Sequence, residues 1–145
     1  MSRTPRPIDP RGPRFNQAVL TVALVAAFVA DARPVVPIFA AVLFLGAAFG
    51  PRYGPFLRLY ADAIRPRLDP PTELEDPRPP RFAATVGIVF LAAATVAFLL
   101  GNAVVGWVLA LIVAALAGLA ATTGICVGCE IYALAAKRRG VELVA

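Results

Sequence analysis

Two cysteines, Cys126 and Cys129, carry the chemistry most open to reading in this 145-residue sequence. They lie in the run Thr123-Gly-Ile-Cys126-Val-Gly-Cys129-Glu130-Ile-Tyr132. Residues three apart share one face of a helix, so sulfurs at this spacing can meet. Three chemistries are open to such a pair. As a dithiol it has the C-x-x-C spacing of thiol–disulfide exchange, in a compartment where a permanent structural disulfide is not expected. As a metal site it supplies two of four ligands, and a second copy or a partner must bring the rest. As packing, cysteine is a small apolar residue commonly buried in helices. The thiolate is the reactive form, and N–H groups at a helix start favour it, whereas the carboxylate of Glu130 opposes it.

The chain contains no histidine. That removes histidine-based acid–base chemistry, histidine-liganded metals and histidine-ligated haem. No cofactor-binding motif is visible, and no metal site can be completed from these residues alone.

The elements that position the cysteines follow from composition. Hydrophobic residues make up 59% and charged residues 16%, against about 45–50% and about 25% in ordinary globular chains. Mean hydropathy is +0.76. A soluble fold of this length cannot hide so much apolar surface, and disordered, collagen-like and disulfide-stapled classes are excluded by the same figures. The expected class is an all-α integral membrane protein.

Four apolar stretches read as transmembrane helices arranged as two hairpins: 15–32, 34–50, 82–100, and a fourth from Ala103 past Ala121. A crossing takes roughly 20 residues. The first two are short and need Arg14, Arg33 and Arg52 to snorkel at their ends. Pro34 and Pro37 follow Asp31-Ala-Arg33 closely, Gly50-Pro51 stops the second stretch, and Gly101-Asn102 makes the other short turn. All four are apolar all round, which argues against a soluble bundle with polar faces.

The domain reading is a cytoplasmic arm (1–14), hairpin 1 (15–50), a cytoplasmic segment (51–81), hairpin 2 with the cysteines at its cytoplasmic end (82–136) and a basic tail (137–145). Within the central segment, Tyr53 to Ile64 suits a short interfacial amphipathic helix. Arg65 to Pro80 holds six prolines and reads as an extended, non-helical linker.

Of the fourteen basic residues, all but Arg33 fall on one side of this arrangement. The positive-inside rule places that side, and both termini, in the cytoplasm. The N-terminal apolar run lacks a small-residue cleavage site and is not a secretory signal. Trp107 is expected at the outer interface. The net charge of +5 reads as topology signal and contact with anionic lipid in the bilayer; a nucleic-acid partner is not expected, because the arginines flank spans instead of forming an aromatic-interleaved patch. Arginine far outnumbers lysine and alanine is abundant, as in GC-rich bacterial genomes, so the expected location is the bacterial inner membrane.

Counting about 20 residues inward from Trp107 reaches Cys126 at the cytoplasmic level. The apolar run continues to Ala136, too long for one straight span, so a break is expected near Gly124 with a short helix after it. Arg14, Asn16, Gln17, Arg81, Glu130 and Tyr132 fall at the same level. Asn16 and Gln17 at a helix entrance either face the bundle, making a polar pocket beside the cysteines, or sit among headgroups.

An echo relates the halves: Pro13-Arg14-Phe15 with Val19, and Pro80-Arg81-Phe82 with Val86, stand 67 residues apart. It reads either as an internal duplication of the hairpin or as a good membrane-entrance sequence used twice. Small residues at Gly46/Gly50, Ala114/Gly118 and Gly124/Gly128 are spaced for close helix contact.

Asp9-Pro-Arg-Gly-Pro-Arg14-Phe15-Asn16-Gln17, Pro80-Arg81-Phe82-Ala83 and Gly124-Ile-Cys126-Val-Gly-Cys129-Glu130-Ile-Tyr132 together resemble an uncharacterised bacterial integral-membrane family, a domain of unknown function. The resemblance runs from about Ile8 to Arg138. It implies a small multi-span protein encoded near thioredoxin-like or rhodanese-like proteins, hence thiol redox or sulfur handling through Cys126 and Cys129 with a thioredoxin-like or sulfurtransferase partner. This chain has Arg-Phe-Ala-Ala where the family pattern has Arg-Phe-Ala-Gln. Two other functions stay open beside that one: a transport component, as a homo-oligomer, for a sulfur compound or anion, and a scaffold for a soluble partner.

Overall fold

Two Asp-Pro-Arg triplets set where the first helix of each half begins. In the computed structural model, which describes residues 5–50 and 52–143, helix α1 spans Arg11–Val29 and helix α4 spans Arg78–Leu99. Asp9 accepts the backbone N–H of Arg11 at 2.9 Å, and Asp76 accepts that of Arg78 at 2.9 Å. A carboxylate there satisfies one of the orphan donors of a helix start and complements its positive end. Pro79 and Pro80 sit in the first turn of α4, where a missing N–H costs nothing. The non-helical linker expected to reach Pro80 therefore stops earlier. Its remainder is irregular after a tight turn at Arg65–Arg67.

Between these helices lie α2 (Val35–Phe49) and α3 (Pro55–Leu59), the latter running on through a wide turn at Tyr60–Ile64. After α4 come α5 (Ala103–Thr123) and α6 (Val127–Arg138). Among the described residues there is no strand, only one antiparallel bridge between Ile8 and Glu75.

Composition asks for four crossings; three helices have the length. The apolar windows of α1, α4 and α5 have mean hydropathies of 1.3, 2.3 and 2.5. Helix α2 has 15 residues, about 22 Å at 1.5 Å per residue, because Pro34 opens it and Gly50, at φ 98°, closes it. The outward surface suits lipid: Val29, Leu99 and Val104 are 80%, 82% and 74% exposed. A water-facing bundle would place polar side chains there.

The core is narrow and built largely of small residues, with Leu24, Val36, Leu91, Ala94, Ala110 and Ala114 buried within it. Helix α1 lies along α5, α2 along α4, and α4 along α5. Gly118 on α5 lets Thr21 of α1 approach, and Thr21 Oγ1 bonds back to the Ala114 carbonyl at 3.2 Å. Gly46 meets Gly54. Gly124 and Gly128 do not share a helix, since the chain breaks between them.

Trp107 lies near the start of α5, beside the turn that joins α1 and α2. It is buried between Phe28 and Phe98, with ring centroids 5.4 and 5.0 Å away, and its Nε1–H donates to Asp31 at 3.0 Å. Asp31, held by Arg33 at 3.1 Å, supplies inside the turn the acceptor that an indole otherwise finds at the headgroups.

The 67-residue step recurs in three dimensions. Ile8 and Glu75, one step apart, exchange two backbone hydrogen bonds of 2.8 and 2.9 Å. The α1–α5 contact has its counterpart in α4–α2, and α3 packs on α1 as α6 packs on α4. One pair of contacts breaks the match. Helix α4 packs along α5, whereas α1 and α2 share little surface, although the Asp31 turn joins them.

Candidate functional site

Helix α5 ends at Gly124, whose φ of 76° is in the left-handed region open to glycine at little cost. The Arg14 guanidinium fills the space a side chain would need, its Nη2 2.7 Å from where a Cβ would stand. Two residues later Cys126 takes the cap position of α6, with φ −95° and ψ 107°. Its sulfur stands where a serine or aspartate oxygen usually sits at a helix cap and accepts the Cys129 N–H at 3.4 Å. Gln17, reaching across from α1, donates Nε2–H to the same sulfur at 3.8 Å.

These donors divide the pair. Cys126 is lowered to about 6, first by the hydrogen bond from the Cys129 thiol, then by the backbone N–H groups of Cys129 and Gly128 and the Gln17 amide, against the opposing effect of burial. Cys129 moves up from the ordinary thiol range. Its bond to Cys126 holds the proton; burial, the neighbouring sulfur and the carboxylates of Glu75 and Glu130 add to that. At neutral pH the pair is one thiolate and one thiol, both half-buried and unbridged. This is the division of labour that exchange needs, with a nucleophile and a protonated resolving group.

The seat of α6 is tight. A Cβ at Gly128 would lie 2.8 Å from the Ala83 Cβ and 3.0 Å from its Cα on α4. One turn on, Tyr132 packs its ring 5.5 Å from that of Phe82. The chain after α6 is held by Arg78, which donates to the Glu142 carbonyl at 3.0 Å.

Behind Cys126 is a cavity of about 850 Å³ lined from all four long helices, with Asn16 and Gln17 of α1, Leu43 of α2, Gly87 and Phe90 of α4 and Val113 of α5 on its walls. Its existence follows from the departure noted above. Helices α1 and α2 part as they leave the Asp31 turn, and Leu57 of α3 and Tyr60 of the turn that follows it reach the lining.

Six supporting residues were expected around the cysteines, and the structure sorts them. Gln17 touches Cys126, and Asn16 lines the same cavity. Arg14 packs on the Gly124 turn. Tyr132 braces α6 through Phe82, and Glu130 is exposed, acting on Cys129 by its charge. Arg81 borders the cavity but is committed to α2, donating to the Ala47 carbonyl at 3.2 Å.

Three contributors are new. Glu75, held by the bridge to Ile8 that no local pattern announces, acts on Cys129 through its charge. Ala83 faces Gly128. Tyr60 is buried against α1, 5.9 Å from the Phe15 ring, and its hydroxyl donates to Asp9 at 3.1 Å. The aromatic spacing of 53–64 signals an apolar face, although that face meets the bundle. Among the described residues no cluster of three or more cysteine, aspartate or glutamate side chains is placed to hold a metal ion.

Gln17→Ala tests the donor set. A rise of about one unit for Cys126 would cut the thiolate fraction at pH 6 from about one half to about one tenth, so alkylation should slow roughly fivefold there and converge with the parent above about pH 8. Iodoacetamide rates across pH in the Cys129→Ser background, with and without Gln17→Ala, measure this. Superimposable profiles would exclude the amide from the site.

Comparison with known protein families gives a match over most of the chain. The family model described as a domain of unknown function (DUF4395) matches residues 8–137. No curated protein and no solved structure matches the chain.

Proposed function

Because the chain belongs to the DUF4395 family, a domain of unknown function covering residues 8–137, its activity has to be argued from the site, and we propose that it is a multi-pass membrane protein performing thiol–disulfide exchange through Cys126 and Cys129. The observation that carries this is the unequal state of the two sulfurs at the start of α6. The cap position accounts for the backbone bond to Cys126, and the Gln17 amide reaching the same sulfur from α1 adds a donor that capping does not require.

In this reading the Cys126 thiolate attacks the disulfide of a soluble, thioredoxin-like partner. The partner's S–S bond breaks, one partner thiolate leaves, and a mixed disulfide forms at Cys126. Cys129 then loses its proton and attacks the Cys126 sulfur, closing the internal disulfide and releasing the partner's second thiol. Two electrons pass to the partner, and the reverse sequence oxidises it. A sulfurtransferase partner would instead leave its persulfide sulfur on Cys126.

The topology that goes with this reading makes α2 a fourth, shortened crossing. Arg33 and Arg52 would snorkel and the bilayer would thin locally to meet it. The basic side then faces the cytoplasm of a bacterial cell, with both termini there. The matched contacts of α1–α3 and α4–α6 support an internal duplication in which only the second copy kept a dithiol: one step back from Cys126 and Cys129 stand Leu59 and Asp62.

Vectorial thiol labelling tests the proposal. A membrane-impermeant maleimide should modify the pair in inverted vesicles and not in intact cells. Labelling should rise severalfold after mild reduction, as expected of a disulfide that cycles. Slow labelling that reduction leaves unchanged would mean buried structural thiols and would end the exchange reading.

A further inference from the structure

The cavity and the sulfur that borders it belong to one site, and the chemistry of the walls narrows what can enter. About 850 Å³ lies within the roughly 300–1,000 Å³ usual for small-molecule sites. Leu20, Leu43, Val86, Phe90, Val113 and Leu116 make the deep walls apolar, so a charged solute would lose its hydration there without replacement. Polar groups gather at one end. Cys126 lines it there with Gln17, whose amide already reaches the Cys126 sulfur, and Asn16, and the charged side chains of Arg6, Asp9, Arg65 and Arg81 also belong to the lining. The occupant that suits this arrangement is an apolar molecule with a polar head that accepts hydrogen bonds from amides and reacts with a thiolate. Cys129 is not part of the lining and lies on the side of Glu75 and Glu130.

Building on the exchange reading, we propose that the cavity binds a membrane quinone with its ring beside Cys126, and that the quinone is the oxidant that returns the reduced pair to the disulfide. The quinone carbonyls accept from Gln17 and Asn16, and the tail follows the apolar walls into the wedge between α1 and α2. The Cys126 thiolate adds to a ring carbon, forming a C–S bond. The Cys129 sulfur, giving up its proton, attacks the Cys126 sulfur; the S–S bond forms, the C–S bond breaks, and its electron pair stays on the ring. The pair, one thiolate and one thiol, loses two electrons and the Cys129 proton; the quinone takes both electrons, that proton and a second proton from water to become the quinol. The S–S bond is then reopened by a soluble dithiol partner, whose thiolate attacks the Cys126 sulfur while Cys129 leaves, the reverse of the exchange described above.

The test uses the full chain, reduced and anaerobic, in lipid nanodiscs with decylubiquinone. The pair should oxidise with equimolar quinol formed, and Cys129→Ser should stop at a coloured thiolate–quinone species. Gly87→Leu and Ala84→Phe fill the cavity. A Cβ at Gly87 meets only ordinary contacts, Leu43 at 3.5 Å and Val113 at 3.9 Å, so the added bulk projects into the space. Each should slow oxidation by decylubiquinone about tenfold or more while leaving oxidation by a water-soluble aromatic disulfide within about twofold. A redox-inert, alkyl-tailed quinone analogue should block the first reaction and not the second in the unaltered chain, a readout that does not depend on how the variants fold. If the pair exchanges with the soluble disulfide but ignores decylubiquinone, or if the analogue blocks neither reaction, the quinone site falls and thiol exchange stands. If it reacts with neither oxidant, the exchange reading falls as well.

Discussion

Cys126→Ser should abolish capture of a thioredoxin-like protein, and Cys129→Ser should increase it. The asymmetry follows from which sulfur holds the charge. With Cys126 lowered to about 6, about nine tenths of it is thiolate at pH 7, against about one hundredth for a thiol at its usual value of 9.0, an advantage of nearly a hundredfold in reactive species. Low-pKa thiolates are somewhat less nucleophilic each, which reduces the gain without reversing it. Cys126→Ser leaves a hydroxyl that cannot ionise there, and Cys129, although released from the Cys126 sulfur, is still raised by burial and by the charges of Glu75 and Glu130, so mixed disulfide with a thioredoxin-like protein should fall to background. Cys129→Ser leaves the attacking thiolate and removes the group that resolves the adduct, so the mixed disulfide should accumulate. The remaining hydroxyl can still donate to Cys126, which keeps that sulfur low.

The pH dependence has a definite sign. A depressed thiol is reactive above its own pKa and loses that reactivity as pH falls through it. Adduct formation by Cys129→Ser should therefore halve near pH 6 and fall about tenfold for each further unit downward. Non-reducing electrophoresis across pH, with an oxidised thioredoxin as bait, reads both effects. Equal capture by the two serine variants, or a midpoint near 9, would remove Cys126 from the attacking role.

How far the sequence foretells this site depends on the kind of interaction involved. The break at Gly124 was open to inference because an apolar run to Ala136 outlasts the bilayer, and a glycine is where such a run turns most cheaply. The cap position of Cys126 follows from that break. Both are local, and local geometry is what spacing encodes. The proximity of Gln17 to Cys126 could be reached only as far as a shared level in the membrane, because which side chains at that level face each other depends on how α1 meets α5. Glu75 lay beyond inference: its place, from which its charge acts on Cys129, depends on a backbone bridge to Ile8, and backbone bonds leave no mark on side-chain pattern. The Asp-Pro-Arg triplets show the opposite failing. Their capping signal is plain, yet the apolar onset at Phe15 and Phe82 draws attention several residues too late. The short α2 belongs to the same lesson, since composition counts apolar residues and not the proline and glycine that cut them to 15.

A methyl group at Gly128 should undo the site almost as thoroughly as removing a sulfur. The predicted Cβ meets Ala83 at 2.8 Å from its Cβ and 3.0 Å from its Cα, and a backbone cannot fold away as the end of a long side chain can. Relief therefore has to come from movement of α6 off α4. The first casualty is the bond from the Cys129 N–H to the Cys126 sulfur, already 3.4 Å long, together with the thiol contact that contributes most to lowering Cys126. As those donors are lost Cys126 drifts back toward the ordinary thiol value, and its alkylation rate at pH 7 should fall by up to about a hundredfold in Gly128→Val, with Gly128→Ala between. Insertion and the packing of α1, α4 and α5 should be little affected, because the collision lies at the margin of the bundle. Ala83→Gly separates a displaced helix from a general loss of structure. It removes one of the two colliding atoms, so the double variant Gly128→Ala/Ala83→Gly should regain several-fold of the lost rate, although Ala83→Gly alone costs about 1 kcal/mol of helix stability. A double-mutant cycle on Cys126 alkylation measures that coupling directly. Strict additivity of the two changes would mean that the seat of α6 on α4 does not set the reactivity of Cys126.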